Sequence, residues 1–242
     1  MHRGRPSTTR TRRAAAGLIA GSFLLVGPLG LLATSAGASP GSSSSASLAQ
    51  ARKDLLTLAD MPSGWTSVKN TDTTNTNVGA AQLAHCIGVA TALVSENPPS
   101  VYSREFQNAG ASLTVADNVT VFPSAKNAAA EFAIGASPKL PGCMTTLASG
   151  PLKTKLFGKT SKGTTIGSPL VSAVSGPAFG PGVHGYSLSV PVTVQGQTVN
   201  VTATQLVAVK GRLGHQLTFT SYNAPFSPAL EQQIMQVAAG RL

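Results

Sequence analysis

The chain has 242 residues, of which 42% are hydrophobic, 11% charged and 5% aromatic. This size allows one ordinary domain with extensions or, at most, two small domains. The formal net charge is +10, but five of the 18 basic residues are arginines near the N-terminus, in a segment without acidic residues. Outside that segment 13 basic residues face 8 acidic ones, so the charge does not indicate a nucleic-acid-binding protein.

The N-terminus has the organisation of an export signal. Its arginines precede an uncharged apolar run over residues 14–34, and Ala36-Gly37-Ala38 then supplies small residues of the A-x-A type. This pattern predicts a secretory signal peptide over residues 1–38, and a secreted or cell-envelope location. Two alternatives stay open: an uncleaved membrane anchor, and twin-arginine export through Arg12-Arg13. No cysteine directly follows the run, so no lipid anchor is expected.

Cys86 and Cys143 are the only cysteines, and both lie in the exported part of the chain. An even pair in an oxidising compartment predicts one structural disulfide bond. Catalytic thiol chemistry is disfavoured because the sequence contains no C-x-x-C spacing.

A flexible segment and a helix are expected directly after the export signal. Residues 39–47 are mainly serine, with glycine, proline and alanine, which is typical of a linker. The folded domain is then expected over residues 48–242, beginning with a helix that Ser47 caps. The segment Met61-Pro62-Ser63-Gly64 ends this helix, directly before the only tryptophan, Trp65.

The middle of the chain predicts short strands between helices. A helix over residues 79–93 would carry the first cysteine, and strands are expected over residues 102–106 and 112–122. The pair Asp117-Asn118 inside the second strand suggests a bulge or a bend. Ser124 would then cap another helix, and a further short helix would carry the second cysteine.

Three strands joined by tight turns are predicted over residues 186–222. Gly196 and Gly211 supply the positive φ that short hairpin turns need, and Pro191 places the first strand at a sheet edge or at a bulge. A last helix begins at Ser227-Pro228. The order of elements predicts an α+β domain, in which helices pack on one face of an antiparallel sheet that includes this C-terminal three-stranded meander.

Apolar and polar residues alternate through the meander, which is typical of a sheet with one buried and one solvent-facing side. The apolar positions expected in the core of its second strand are Val199, Val201, Ala203, Val207 and Val209. The polar positions expected on the opposite side, as the floor of a cleft, are Asn200, Thr202, Thr204, Gln216 and Thr218. If helices covered both sides, these polar groups would need buried partners.

The residue types that carry enzyme chemistry form no recognisable constellation. The only G-x-S-x-G match, over residues 37–41, spans the expected cleavage site. The histidines are scattered and the acidic residues dispersed, so we predict no catalytic residue, no metal site and no cofactor. An envelope hydrolase would require a serine or a carboxylate within hydrogen-bond reach of His184 or His215.

Aromatic residues are the best candidates for ligand contact, because rings with a polar tip often line clefts. The candidates are Trp65, Tyr102, Tyr186 and Tyr222. For Trp65 the alternative is a structural role, in which the ring fills the core where the chain turns back after the first helix.

The first helix runs into the segment Leu58-Ala59-Asp60-Met61-Pro62-Ser63-Gly64-Trp65. There follow a Cys-bearing helix, a strand that ends in Val119-Thr120-Val121-Phe122, an Ala-rich helix, the second cysteine, the meander and a terminal helix. This layout, over residues 47–242, resembles the PknH-like extracellular sensor domains of actinobacteria. The resemblance implies a domain outside the cell that binds a ligand in a cleft beside its sheet, and it supplies no catalytic residues.

The chain departs from that family in two respects. The family has a two-disulfide design, whereas this sequence has a single cysteine pair. No attached kinase is expected, because neither a Gly-rich loop nor an H-R-D-type catalytic loop occurs in this sequence. The resemblance therefore implies a secreted, kinase-free member.

The leading functional hypothesis is a secreted or cell-envelope, non-enzymatic binding domain that holds a small or amphiphilic ligand, such as a lipid or a glycan, with no nucleic-acid partner. The alternative is a structural or interaction protein that docks on a partner protein or an anionic cell-wall polymer. Docking would use a sheet edge or the lysine-rich loop that contains Lys153, Lys155, Lys159 and Lys162.

Overall fold

The computed structural model describes residues 41–70, 80–89, 98–150, 163–174 and 182–242. The helices are α1 (Gly41–Asp54), α2 (Ala80–Ile87), α3 (Ala125–Gly135), α4 (Leu140–Ser149) and α5 (Pro228–Arg241). The strands are β1 (Thr66–Val68), β2 (Ser100–Tyr102), β3 (Glu105–Asn108), β4 (Leu113–Val121), β5 (Thr164–Ile166), β6 (Leu170–Val174), β7 (Val183–Val194), β8 (Gln197–Lys210) and β9 (Leu213–Tyr222). The expected signal peptide and the lysine-rich loop lie outside the described residues.

All nine strands join one antiparallel sheet in the order β1-β3-β4-β9-β8-β7-β5, with β2 paired to β4 and β6 paired to β7. The structure confirms the predicted α+β fold, including the meander β7-β8-β9 and the terminal helix α5. It also confirms the disulfide bond, which links Cys86 of α2 to Cys143 of α4. No helix in the described ranges is long and apolar enough to cross a membrane.

Helices cover both faces of the sheet, so the expectation of a single buried face was wrong. On the front face, defined by Leu206, Leu217 and Phe219, helix α5 packs through Ile234 and Met235. Helix α1 covers another part of the same face over β4 and β2.

The back face is defined by Val190, Val201 and Ala203. It is covered by α2, α3 and α4, which contribute Leu83, Ile134 and Met144 in turn. Helices therefore cover the front face in one half of the sheet and the back face in the other half.

The apolar residues of β8 lie on the back face in the first half of the strand and on the front face in the second half. Val201 and Ala203 point to the back, as the alternation predicts, but Leu206 and Ala208 are the buried residues further along. Val207 and Val209 are only half-buried, so their expected place in the core was wrong. The reason is that helix α5 lies on the front of this half of the sheet, where Leu206 packs.

Two local predictions also need correction. Helix α1 begins at Gly41, so the segment expected to be a linker is helical from that residue onward. Serine and alanine are compatible with a helix. Because packing against the sheet already stabilises α1, its extension toward the N-terminus requires no new nucleation. Strand β4 pairs with β9 without interruption through Asp117-Asn118, so the expected bulge is not in this strand.

The bulge lies instead in the neighbouring strand, between β2 and β3. Tyr102 pairs with Asn118 and Phe106 pairs with Val115. The β2–β3 strand therefore advances four residues while β4 advances three, which leaves one extra residue. Ser103 holds the extra residue in place: its N–H donates to the carbonyl of Asp117 at 2.9 Å, and its Oγ accepts from the Asp117 N–H at 3.2 Å.

Pro191 lies inside the sheet rather than at its edge. Strand β7 pairs with β8 on one side and with β5 and β6 on the other. Ile166 ends β5 opposite Val192, and Leu170 begins β6 opposite Ser189. Pro191 therefore faces the gap between two short strands, where its missing N–H removes no ladder hydrogen bond.

The turn before Trp65 is attached to the end of the chain. Asp60 accepts hydrogen bonds from Thr57 N at 2.6 Å and from Arg241 Nη2 at 2.5 Å. Desolvation alone would raise the pKa of Asp60, but these bonds and the charge of Arg241 outweigh it and lower the pKa. Trp65 is buried with its ring 6.3 Å from that of Phe226. This turn thus joins the first helix to the last one.

Candidate ligand-binding face

Polar side chains occupy the part of the back face that lies on β8, β9, β4 and the β2–β3 strand. The register fixes their positions, since directly paired residues point to the same face. The residues are Tyr102, Glu105, Gln107, Thr114, Asn118, Thr120, Gln205, Gln216, Thr218 and Thr220. We call this set the polar field.

The polar field is buried over much of its area. Thr218 is 6% exposed, and its partner on β4, Ala116, is 8% exposed. Thr120, Gln205, Gln216 and Thr220 are buried as well. Tyr102, Glu105 and Asn118 are half-buried, so the field combines a buried part with a half-buried rim.

Phe122 closes one end of the field. Gly214 lies on the back face at the end of β9, and a Cβ placed there would lie 2.6 Å from Phe122 Cε2. The absence of a side chain at Gly214 therefore lets the Phe122 ring lie directly on the sheet.

Several polar groups of the field bind one another. Tyr186 Oη donates to Gln205 Oε1 at the inner margin, and Gln107 Nε2 donates to Glu105 Oε1 at 2.7 Å on the rim. Asn118 Oδ1 is buried and has no hydrogen-bond partner in the described part of the chain. Buried carbonyls of this kind are commonly satisfied by an ordered water molecule.

Glu105 sets the electrostatic character of the rim. Burial raises the pKa of Tyr222 to about 12, and the negative charge of Glu105 contributes to the increase. The Glu105 carboxylate therefore lies within electrostatic range of the Tyr222 phenol.

The structure brings three of the four aromatic candidates to one face. Tyr102 belongs to the field, Tyr186 bonds to Gln205, and Tyr222 pairs with Val201 on the back face. Trp65 lies in the core of the front face instead. Contact of the tyrosines with a ligand stays a prediction.

The polar positions expected to form a single cleft floor are divided between the faces. Gln216 and Thr218 belong to the polar field, whereas Thr202 and Thr204 point to the front, since Thr204 pairs with Phe219. Asn200 shares the phase of Thr202. The sequence did not single out Glu105 or Gln205 for this site, because the bulge before β3 and the change of face in β8 decide where they point.

A buried pair, Asp117 and His215, lies on the front face beneath α1. Asp117 Oδ1 contacts His215 Nε2, and Asp117 Oδ2 accepts from Leu56 N at 2.7 Å. His215 thus has a carboxylate in reach, but both side chains are 0% exposed, so no substrate can reach them. The pair is a structural element of the core.

His184 lies on the back face near α3, where its ring contacts that of Phe132 with centroids 4.3 Å apart and an interplanar angle of 58°. Burial lowers the pKa of His184, which favours the neutral ring. His85 is exposed on α2. The described residues contain no group of three His, Cys, Asp or Glu that could hold a metal ion.

Comparison with known proteins gives little further information. No family model matches the sequence, and no curated protein matches it. Among solved structures, the chain is similar to the extracellular domain of PknH from Mycobacterium tuberculosis, with 12% identity and a TM-score of 0.40, over 79% of this chain and 94% of that one. This likeness is at the level of the fold, and it is weak.

Proposed function

We propose that the chain is an exported, non-enzymatic binding domain that holds a small ligand on the polar field. The observation that carries the proposal is the gathering of polar side chains on one part of the back face, where buried threonines and glutamines adjoin a half-buried rim that contains Tyr102, Glu105 and Asn118. A ligand with hydroxyl or amide groups would bond to the donors and acceptors of this rim. The disulfide bond between α2 and α4 is in keeping with an oxidising, extracellular location.

The described residues favour binding over catalysis. Their one histidine–carboxylate pair, His215 with Asp117, is closed to solvent, and the field itself presents amides, hydroxyls and a single carboxylate. Such groups orient a ligand without activating a nucleophile. Docking through the lysine-rich loop stays a prediction, because that loop lies outside the described residues.

Native mass spectrometry of protein purified from its own envelope tests the proposal, with lipid and glycan extracts supplied in a thermal-shift assay. We expect a bound small molecule or an increase in melting temperature, which Thr218→Val abolishes. Val keeps the shape of Thr but removes the hydroxyl group at the centre of the field. Thr202→Val, on the front face, is the matched control and should keep the ligand effect. An empty protein that no extract stabilises would overturn the proposal.

A further inference from the structure

We infer that the polar field selects ligands that carry a positively charged amino group next to hydroxyl groups, with Glu105 as the charge partner. The inference rests on the proposed function and deepens it by naming the ligand class. It is carried by the bulge between β2 and β3, which decides whether a cation or an anion of the chain faces the site.

The bulge places Glu105, instead of Arg104, on the back face. Tyr102 faces back, because it pairs with Asn118. In a regular strand Arg104, two residues later, would face back as well. The extra residue shifts the alternation, so that Phe106 faces front opposite Val115 and Glu105 faces back. Bulges commonly re-aim side chains next to functional sites.

Hydrogen bonds hold the exchanged side chains in place. Arg104 points away from the field, where its Nε donates to Ser67 Oγ at 3.1 Å and its Nη2 donates to the Ser67 carbonyl at 3.3 Å. Ser103 Oγ donates to the Arg104 carbonyl at 2.6 Å. The guanidinium group is therefore committed to β1, and the carboxylate is left at the site.

Glu105 has no cationic partner within the described residues. The ion pairs found there join Arg241 to Asp60 and His215 to Asp117, and the neighbour of Glu105 is the neutral amide of Gln107. No lysine or arginine belongs to the polar field. A half-buried carboxylate without a cation repels anionic ligands and attracts cationic ones.

The surroundings of Glu105 suit an amino group on a polyol. Tyr222 lies within the electrostatic range of the carboxylate, and Tyr102 precedes it on the rim, so either ring could add a cation–π contact. Thr and Gln side chains both donate and accept hydrogen bonds, as the hydroxyl groups of a sugar do. The matching ligand is a hydroxyl-rich small molecule with a primary amine.

Three sugars that differ in one substituent provide the test: methyl glucoside, its analogue with a primary amine in place of the terminal hydroxyl group, and methyl glucuronide. Ligand-observed NMR titration at neutral pH measures their relative affinities. We expect the amine analogue to bind about fivefold more tightly than the glucoside, the size of a partly screened ion pair, and the glucuronide to bind most weakly. Glu105→Gln should remove the preference but keep glucoside binding, whereas Glu231→Gln on α5 should keep both.

Deletion of Glu105 gives a second, opposite test. It removes the extra residue, so that a regular strand would place Arg104 on the field and keep Phe106 in the core. We expect this variant to prefer the glucuronide, with circular dichroism and thermal melting to verify folding. A wild-type protein that binds the glucuronide as well as the amine analogue overturns the inference but leaves the proposed binding site standing. Failure of all three sugars to bind overturns the inference, and the proposed function is then decided separately by the envelope extracts.

Discussion

Replacement of Asp117 by asparagine should strongly destabilise the protein, although it leaves the shape of the side chain unchanged. Asp117 is the point at which three distant segments meet, because its carboxylate contacts His215 of β9 and Leu56 N after helix α1, while its own backbone bonds to Ser103. Its side chain is 0% exposed, so water cannot replace a lost partner.

The magnitude follows from the two acceptors that the carboxylate provides. An asparagine side chain has one acceptor oxygen, and its NH₂ group would face either Leu56 N or His215 Nε2. Hydrogen bonds to charged groups contribute about 1.5–3 kcal/mol each, and asparagine can keep only one of the two acceptor roles. We therefore expect a loss of about 1.5–3 kcal/mol, a considerable part of the total stability of a typical domain.

Urea unfolding monitored by circular dichroism measures this loss. With a denaturant dependence of about 2 kcal/mol per molar, the midpoint should fall by roughly 0.8–1.5 M. Asp60→Asn is the matched control, since Asp60 pairs with Arg241 at a partly exposed site and should contribute only about 1 kcal/mol. The reasoning is refuted if both variants lose the same stability, or if Asp117→Asn shifts the midpoint by less than about 0.5 M.

Two further predictions concern the disulfide bond and the terminal helix. The variant with Cys86→Ala and Cys143→Ala should lose about 4 kcal/mol in chemical denaturation, because the bond closes a loop with a sequence separation of 57 residues; a loss below 1 kcal/mol would show that the packing of α2 against α4 suffices. Burial raises the pKa of Glu231 from 4.5 to about 7, although a hydrogen bond with Thr204 opposes the shift. The folded state therefore holds this proton more tightly than the unfolded state does, so that stability falls as pH rises from 4.5 to 7. Between pH 4.5 and 7 the melting temperature of Glu231→Gln should increase relative to that of the wild type, and above pH 7 the difference should stay constant. Gln233→Glu, at an exposed position of the same helix, should show no such trend.

Local signals in the sequence predicted local structure correctly. Ser124 caps helix α3 by accepting from Asn127 N at 3.1 Å. Gly196 and Gly211 form the hairpin turns with φ of 80° and 60°. Each of these features depends on residues within a few positions of one another, so the sequence contains the information that decides them.

The faces of the sheet could not be predicted in the same way. In β8 the polar pair Thr204-Gln205 separates two apolar runs of opposite phase, and either phase satisfies the alternation. Helices α5 and α3, which lie far away in the sequence, settle the choice. As a result Gln205 belongs to the polar field on the back face, and Thr204 bonds to Glu231 on the front face.

The position of the bulge also depended on distant residues. Asp117-Asn118 is typical of a turn, but the partners of Asp117 lie 61 and 98 residues away and hold β4 straight. The same Asp117 backbone bonds to Ser103 and fixes the extra residue on the neighbouring strand. A residue singled out for turn chemistry thus acts as a long-range anchor.

These two irregularities together create the candidate site. The change of face in β8 moves the apolar core of β9 and β4 to the front and leaves their polar side chains on the back. The bulge then places a carboxylate at the rim of those side chains and turns the adjacent guanidinium group to β1. The backbone of Asp117 bonds to Ser103 in the bulge, while its side chain contacts His215 in the core of the front face. The core pair and the candidate site therefore share strand β4.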